Sequence, residues 1–263
     1  MLNWLDAAMA HPVVHTEAEL HNVWRDVVSE ISDFAGMALF AGAMVEDFAL
    51  IFSAGYQAAL RHTFPRHYFA DWAAFAVSED KGGALPSVDW EETDDGFVIT
   101  GSKTWIAASE RVQELVIKAG RGGRAKYFAV PRDTAGLTIE TRPPGRVLPG
   151  LSQGSAHFDK AVLPAAADLD TTLVPGFAAA EVYYIYLAFL GSTWRRWPDR
   201  AAEVTLALEA AAHVEDVREL NKQAHLAELN AQVQSLLRSL RDNEGGADDL
   251  WRRDYKLIAM YDF

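Results

Sequence analysis

Apolar positions along this chain change their period twice. In the first zone Val23, Val27, Val28, Ile31 and Phe34 return every three or four residues, which places them on one helical face. Thr16 stands three residues before Glu19, a spacing that lets two side chains satisfy the free backbone groups of a helix start. Ala35 to Thr63 is nearly apolar all round and predicts one or two helices that are buried or face an interface. Pro65 closes the zone. The period then shortens to two. FAVSE, SVDWEET, GFVITGSKTWI, ELVIKAG, AKYFAVP, LTIETR and SAHFDKAVLP are short β-branched and aromatic runs, separated by DDG, GRGG, DTAG and PPG. Strand runs with turn chemistry at this spacing predict a small antiparallel barrel or sandwich. Helical spacing returns with an apolar helix from about Phe177 to Trp194, a break at Pro198, a long helix over about 199–241, and a last helix capped by Asp248. The predicted class is α+β. A helical domain covers residues 1–72, a β-barrel domain 73–167 and a second helical domain 168–263.

Composition narrows the function. The formal charge is −13 over 263 residues, which argues against a nucleic-acid partner, since phosphate backbones need concentrated Lys and Arg. The chain has no cysteine, so disulfides, thiolate nucleophiles and Cys-held metals are excluded. His11 and His15 have the spacing of a metal pair, but Pro12 lies between them and no carboxylate-rich partner is evident; no metal site is predicted. Gly150-Leu-Ser152-Gln-Gly154 has the pattern of a nucleophile elbow, but a strand-like run follows it where a helix is needed. The opening MLNWLDAAMAHPVVHTEAEL lacks a basic segment and a long apolar core, so it does not read as a secretory signal. The apolar stretch Phe34 to Leu60 is interrupted by Glu46, Asp47 and Gln57, which argues against membrane insertion. A cytoplasmic location is predicted.

Two segments in order carry a more specific signal. Phe75, Val77, Ser78 and Glu79 lie in the first strand run; Thr100, Gly101, Lys103, Trp105 and Ile106 lie in the third. Together they resemble the middle domain of the acyl-CoA dehydrogenase flavoproteins, and KYFAVPRDTAGLTIE and SAHFDKAVLP resemble that family's later strands. The resemblance covers about residues 60–195 and implies an abbreviated member. It implies FAD as cofactor, an acyl-CoA-type thioester as substrate and an electron-transfer acceptor as partner. It also implies that Phe75, Val77, Ser78, Trp105, Ile106 and Ala107 line the flavin ring. Ser78 would donate to the pyrimidine edge, which stabilises the reduced ring, and Trp105 would cover a ring face. Gly82 and Gly83 would offer backbone N–H groups to the pyrophosphate. Without the resemblance, Ser78 and Trp105 read as ordinary strand residues.

The chain departs from that family in several places. Ala107 stands where a hydroxyl residue is usual, and Ala84 replaces a serine that would meet the pyrophosphate. The first helical zone is about half the usual size. The Arg-x-x-Phe-Gly run and the late Glu-Gly-Thr loop, which carries the usual base, are missing. Some members instead place the base ten residues before a glycine in the first C-terminal helix. Glu181 stands ten residues before Gly191 and is the sole charged residue between Asp170 and Arg195. A lone Glu on an apolar helix is costly to bury unless paired or functional. The alternative is that it faces water near the helix start, where the macrodipole favours it. The wide apolar stripe over 199–241, from Val204 to Leu240, predicts a homodimer or homotetramer. The resemblance thus implies an FAD-binding oxidoreductase acting on the CH–CH group of an acyl thioester. A non-catalytic relative serving as a binding or assembly subunit is the alternative.

Overall fold

The computed structural model of the chain describes residues 1–214, 224–243 and 255–260. They form two compact units. One unit takes residues 1–63, 146–150 and 175 onward; the other takes 64–145 and 151–174. The two helical zones that the sequence separates are therefore one body.

In the helical unit the chain runs through α1 (Leu2–Ala8), α2 (Glu17–Asp26), α3 (Phe34–Ala43) and α4 (Phe48–Thr63). It then continues through α5 (Phe177–Arg196), α6 (Ala201–Ala212) and α7 (Ala224–Asn243). α2 starts with the expected reciprocal cap: Glu19 N–H donates to Thr16 Oγ1 at 3.2 Å, and Thr16 N–H to Glu19 Oε2 at 3.1 Å. It stops at Asp26, so the predicted apolar face does not continue to Phe34 in one helix. Val27 and Val28 are stiff at χ1 and fit a helix poorly. Asp33 then starts α3 by accepting the N–H of Ala35 at 3.1 Å, and Asp47 accepts the N–H of Ala49 at 2.7 Å at the start of α4.

α5 is the axis of this unit, packed against α3 and α4. Glycines let the backbones nearly touch. A Cβ on Gly42 would lie 2.1 Å from the carbonyl oxygen of Ala188, and one on Gly55 2.5 Å from the Cα of Ile185. Gly191 is as tight against the carbonyl of Leu39, at 2.3 Å. By length and composition the segment Val174–Arg196 could cross a membrane, yet 61% of its apolar window is buried inside the protein. That burial is what a core helix requires.

Two helices stand where the sequence predicts one over 199–241. α6 ends at Ala212, where His213 N–H closes on the carbonyl of Ala210 at 3.2 Å. In α7, Leu226, Leu229, Val233, Leu236, Leu237 and Leu240 are all 0–3% exposed. The described residues of that stripe in α7 are thus buried within the chain, by packing that includes α6, while Val217 and Leu220 lie outside the described residues. A buried polar network fixes the far end: Tyr186 Oη donates to Asn230 Oδ1 at 2.6 Å, and Gln234 Nε2 to the carbonyl of Ile258 at 2.9 Å. The predicted cap at Asp248 lies outside the described residues.

The second unit holds β1 (Ala73–Ala76), β2 (Asp89–Thr93), β3 (Gly96–Ala107), β4 (Glu114–Ala119), β5 (Lys126–Pro131), β6 (Leu137–Arg142) and β7 (Gln153–Pro164). Every strand run picked out in the sequence holds a strand, although FAVSE is strand only at Phe75 and Ala76. The strands make two sheets, ordered β1-β4-β5 and β2-β3-β7-β6; of the barrel or sandwich that the strand spacing predicts, the closed barrel assigned to this domain is not formed. β1 also pairs with β4 in parallel, Phe75 opposite Val116. A parallel pair needs a long crossover, and here the β2–β3 hairpin supplies it. Two register shifts bend β3 against β7, between Ile99 and Gly101 and between Lys103 and Ile106. Gly101 has φ +130°, and a Cβ there would lie 2.4 Å from the carbonyl of Ser87, so no other residue fits that bend.

Candidate functional site

The segments that sequence reading singles out in the β unit lie side by side. β1 ends at Ala76, but the chain stays beside β3, because Thr104 N–H donates to the carbonyl of Ser78 at 3.0 Å. One residue later, Lys103 Nζ donates to Glu79 Oε1 at 2.8 Å. The lysine side chain is wholly buried and the glutamate is 26% exposed. Arg121 Nη2 donates to Ser87 Oγ at 2.6 Å and lies 3.9 Å from Glu79 Oε2. Burial pushes the Glu79 carboxyl up, but hydrogen bonds from Lys103 and Ser87 and the charges of Lys103 and Arg121 outweigh it and hold the group below its ordinary range. Burial also depresses the Lys103 ammonium, which Glu79 opposes. Two backbone and side-chain links therefore fix residues 78–79 on β3.

Each predicted contact residue can be placed. Phe75 is buried, with its ring stacked on Tyr127 at a centroid distance of 5.8 Å. Val77 and Ser78 are exposed, just past the end of β1. Trp105 is half-buried, and its indole N–H donates to Gln153 Oε1 at 3.1 Å. Ile106 and Ala107 are buried, because the second register shift turns them inward. Ser78 and Trp105 are brought close in the chain-to-chain register; the side chains of Ile106 and Ala107 belong to the core.

The turn after Glu79 is different from the expected phosphate cradle. Asp80 fills it with its own carboxylate. Gly82 N–H donates to Asp80 Oδ1 at 2.9 Å, while Ala84 and Leu85 N–H donate to Oδ2 at 2.8 and 3.0 Å. Gly83, at φ +73°, turns its N–H to the carbonyl of Asp80 at 3.4 Å. The N–H groups of Gly82 and Gly83 are thus already engaged. Those bonds hold the Asp80 carboxyl below its ordinary range. Sequence reading missed Asp80; the signal was an Asp two residues before a Gly, the pattern of a side chain that closes its own turn.

In the helical unit, Glu181 is the fifth residue of α5, half-buried. Residues one turn away on the same side are Phe177, Tyr184 and Ile185, all buried. Desolvation pushes the Glu181 carboxyl up from 4.5 to about 7. Among the described residues no cation or hydrogen-bond donor offsets it. The sequence left open a carboxylate facing water at the helix start; Glu181 is half-buried there, with apolar or aromatic residues one turn away along α5. Among the described residues no group of three or more His, Asp and Glu gathers as a metal site.

No protein-family model matches the sequence, and neither does any curated protein. Solved structures do match in fold. A crystal structure of an FAD-dependent dehydrogenase aligns with 98% of this chain and 90% of its own, at 15% identity and a TM-score of 0.67. Butyryl-CoA dehydrogenase from Megasphaera elsdenii aligns over 95% of this chain and 87% of its own, at 11% identity and TM-score 0.69. A glutaryl-CoA dehydrogenase from Mycobacterium smegmatis, in complex with FADH2, aligns over 99% and 85%, at 12% identity and TM-score 0.59. The chain has the acyl-CoA dehydrogenase fold, with a sequence far diverged from those neighbours.

Proposed function

We propose that this chain is an FAD-dependent oxidoreductase that acts on the CH–CH group of an acyl thioester. The observation that carries the reading is Glu181. A lone carboxylate on an apolar helix, pushed up to about 7 by desolvation, is a base poised near neutral pH in a chain with this fold. Its role is to take the proton from the carbon α to the thioester carbonyl. The proton ends on a Glu181 carboxylate oxygen as the Cα–Cβ double bond forms. A bound flavin supplies the acceptor for the hydride that leaves the β carbon.

Exposed and half-buried residues of the β unit support a place for the flavin ring in this reading. Ser78 presents an exposed hydroxyl, and the Thr104–Ser78 and Lys103–Glu79 links hold its backbone on β3. Trp105, next in the chain to Thr104, has its indole N–H held by Gln153. In this reading Ser78 donates to the pyrimidine edge and Trp105 covers one face. An electron-transfer acceptor then reoxidises the protein. Self-association rests on the resemblance, since the described residues of the α7 stripe are buried within the chain.

The first test is cofactor content. Purified protein is expected to be yellow, to release flavin on denaturation and to bleach when mixed anaerobically with an acyl-CoA. A colourless protein whose melting temperature does not move with added FAD would sink the reading. Ala84, Ala107 and the filled turn at Asp80 favour a second reading, a binding or assembly subunit. Protein that takes up FAD but is not bleached by any acyl-CoA would select it.

A further inference from the structure

We propose that Asp80 is a built-in anion that closes the 80–85 turn to phosphate, so that the chain holds its flavin by the ring and not by the pyrophosphate. The inference rests on the flavin reading above, but its evidence is the turn itself. A phosphate-binding loop works by pointing several backbone N–H groups at one anion. This turn has that construction: the N–H groups of Gly82, Ala84 and Leu85 converge within 2.8–3.0 Å on two oxygens. The oxygens belong to Asp80. The place a phosphate oxygen would take is held by a covalently attached carboxylate at high effective concentration.

A pyrophosphate would have to displace that carboxylate and then lie beside its negative charge. Nearby charge does not help: Glu79 is the preceding residue, and its neutralising cations, Lys103 and Arg121, are engaged with it or with Ser87. Lys81 is the one cationic side chain within the turn. Ala84 brings no hydroxyl to a phosphate oxygen. Charge-assisted hydrogen bonds to a carboxylate are among the stronger ones, so the displacement is uphill.

Two measurements test this. In the first, inorganic pyrophosphate is titrated into ¹⁵N-labelled protein and the amide signals of Gly82, Ala84 and Leu85 are followed. The wild type is expected to show no movement at millimolar pyrophosphate. Asp80→Ala, with the three donors freed, is expected to show saturable shifts at those amides. Asp80→Asn keeps an oxygen acceptor, and therefore the turn, while removing the charge; unchanged amide positions without pyrophosphate verify that it is folded. It is expected to bind more weakly than Asp80→Ala but detectably. Saturable binding by the wild type, or none by either variant, overturns the proposal.

The second compares riboflavin, which has no phosphate, with FAD by quenching of flavin fluorescence. Wild-type affinities are expected to agree within about threefold. Asp80→Ala is expected to raise FAD affinity about tenfold or more and leave riboflavin unchanged, since one charge-assisted bond is worth at least a decade of affinity. FAD bound a hundredfold more tightly than riboflavin by the wild type would overturn the proposal. If no flavin binds either protein, the flavin reading fails, and the pyrophosphate titration still decides the role of Asp80.

Discussion

Two glutamates, one in each unit, have opposite surroundings and opposite shifts. Glu79 sits on the β unit with a buried lysine at 2.8 Å, and its carboxyl is held low. Glu181 sits on α5 among Phe177, Tyr184 and Ile185, and its carboxyl is pushed up to about 7. Both are partly desolvated. What separates them is the partner. A desolvated carboxylate with a cation is accounted for by structure: it fixes residues 78–79 on β3. One without a partner remains a cost that folding does not explain, which is how acids and bases at functional sites stand out.

The largest expected effect is on the reaction. Glu181→Gln keeps shape and removes the base, so the rate of flavin reduction by acyl-CoA should fall by about 10²–10⁴-fold. Flavin content should not change. In the wild type that rate should rise with pH through about 7, as Glu181 loses its proton. Stopped-flow reduction across pH 5.5–8.5 checks both. An unaltered rate in the variant would place the base elsewhere and leave Glu181 as an unexplained cost.

Stability should respond in the opposite sense. The folded pKa of Glu181 is raised from 4.5 to about 7, so the folded state binds the extra proton between those values. Stability therefore falls as pH rises through that window, and the loss is complete above it. The shift corresponds to roughly 3 kcal/mol at pH 8. Glu181→Gln should be more stable than the wild type by about that amount at pH 8 and nearly equal at pH 4.5. Urea unfolding at the two pH values measures the difference; equal stabilities at both would mean that Glu181 is hydrated.

For Glu79 the expectation reverses. Removing a cation's partner leaves the cation, and Lys103 is wholly buried whereas Glu79 is 26% exposed. Glu79→Gln should therefore cost more than Lys103→Met, about 2–3 kcal/mol against about 1 kcal/mol. The double variant should recover part of the loss. If Lys103→Met is the costlier change, the buried charge is not the controlling quantity.

The sequence revealed local structure well and long-range arrangement poorly. All the strand runs are legible because alternation and turn residues act within a few positions. The parallel β1–β4 pair is not, since it joins residues about forty apart and depends on no local period. Glu181 was legible because a single charge interrupts an apolar run. Its shift was not, because that depends on the aromatic residues packed one turn away. Asp80 was legible in principle, since an Asp two residues before Gly82 is itself a turn signal, but the glycines beside it carry the same pattern as a phosphate loop. The burial of Ile106 and Ala107, which the resemblance puts along the flavin ring, was not legible, because a register shift cannot be seen in a pattern.

The smallest expected effect sharpens the contrast from the packing side. Glu181 keeps its partial burial only if α5 is held firmly, and one turn further on Ile185 lies against Gly55 of α4. A Cβ on Gly55 would come 2.5 Å from the Cα of Ile185, closer than real contacts allow. Backbone cannot move aside as a side-chain tip can, so Gly55→Ala should force the helices apart at a cost of about 1–3 kcal/mol. The gap would admit water near Glu181 and bring its carboxyl back toward 4.5. In the Gly55→Ala background, then, the extra stability that Glu181→Gln gives at pH 8 should shrink. Gly123→Ala, where a Cβ meets open space, is the control and should leave that gain intact. If the gain is the same in both backgrounds, the close approach of α4 and α5 is not what keeps Glu181 desolvated, and its cause must be sought in the aromatic residues of α5 itself.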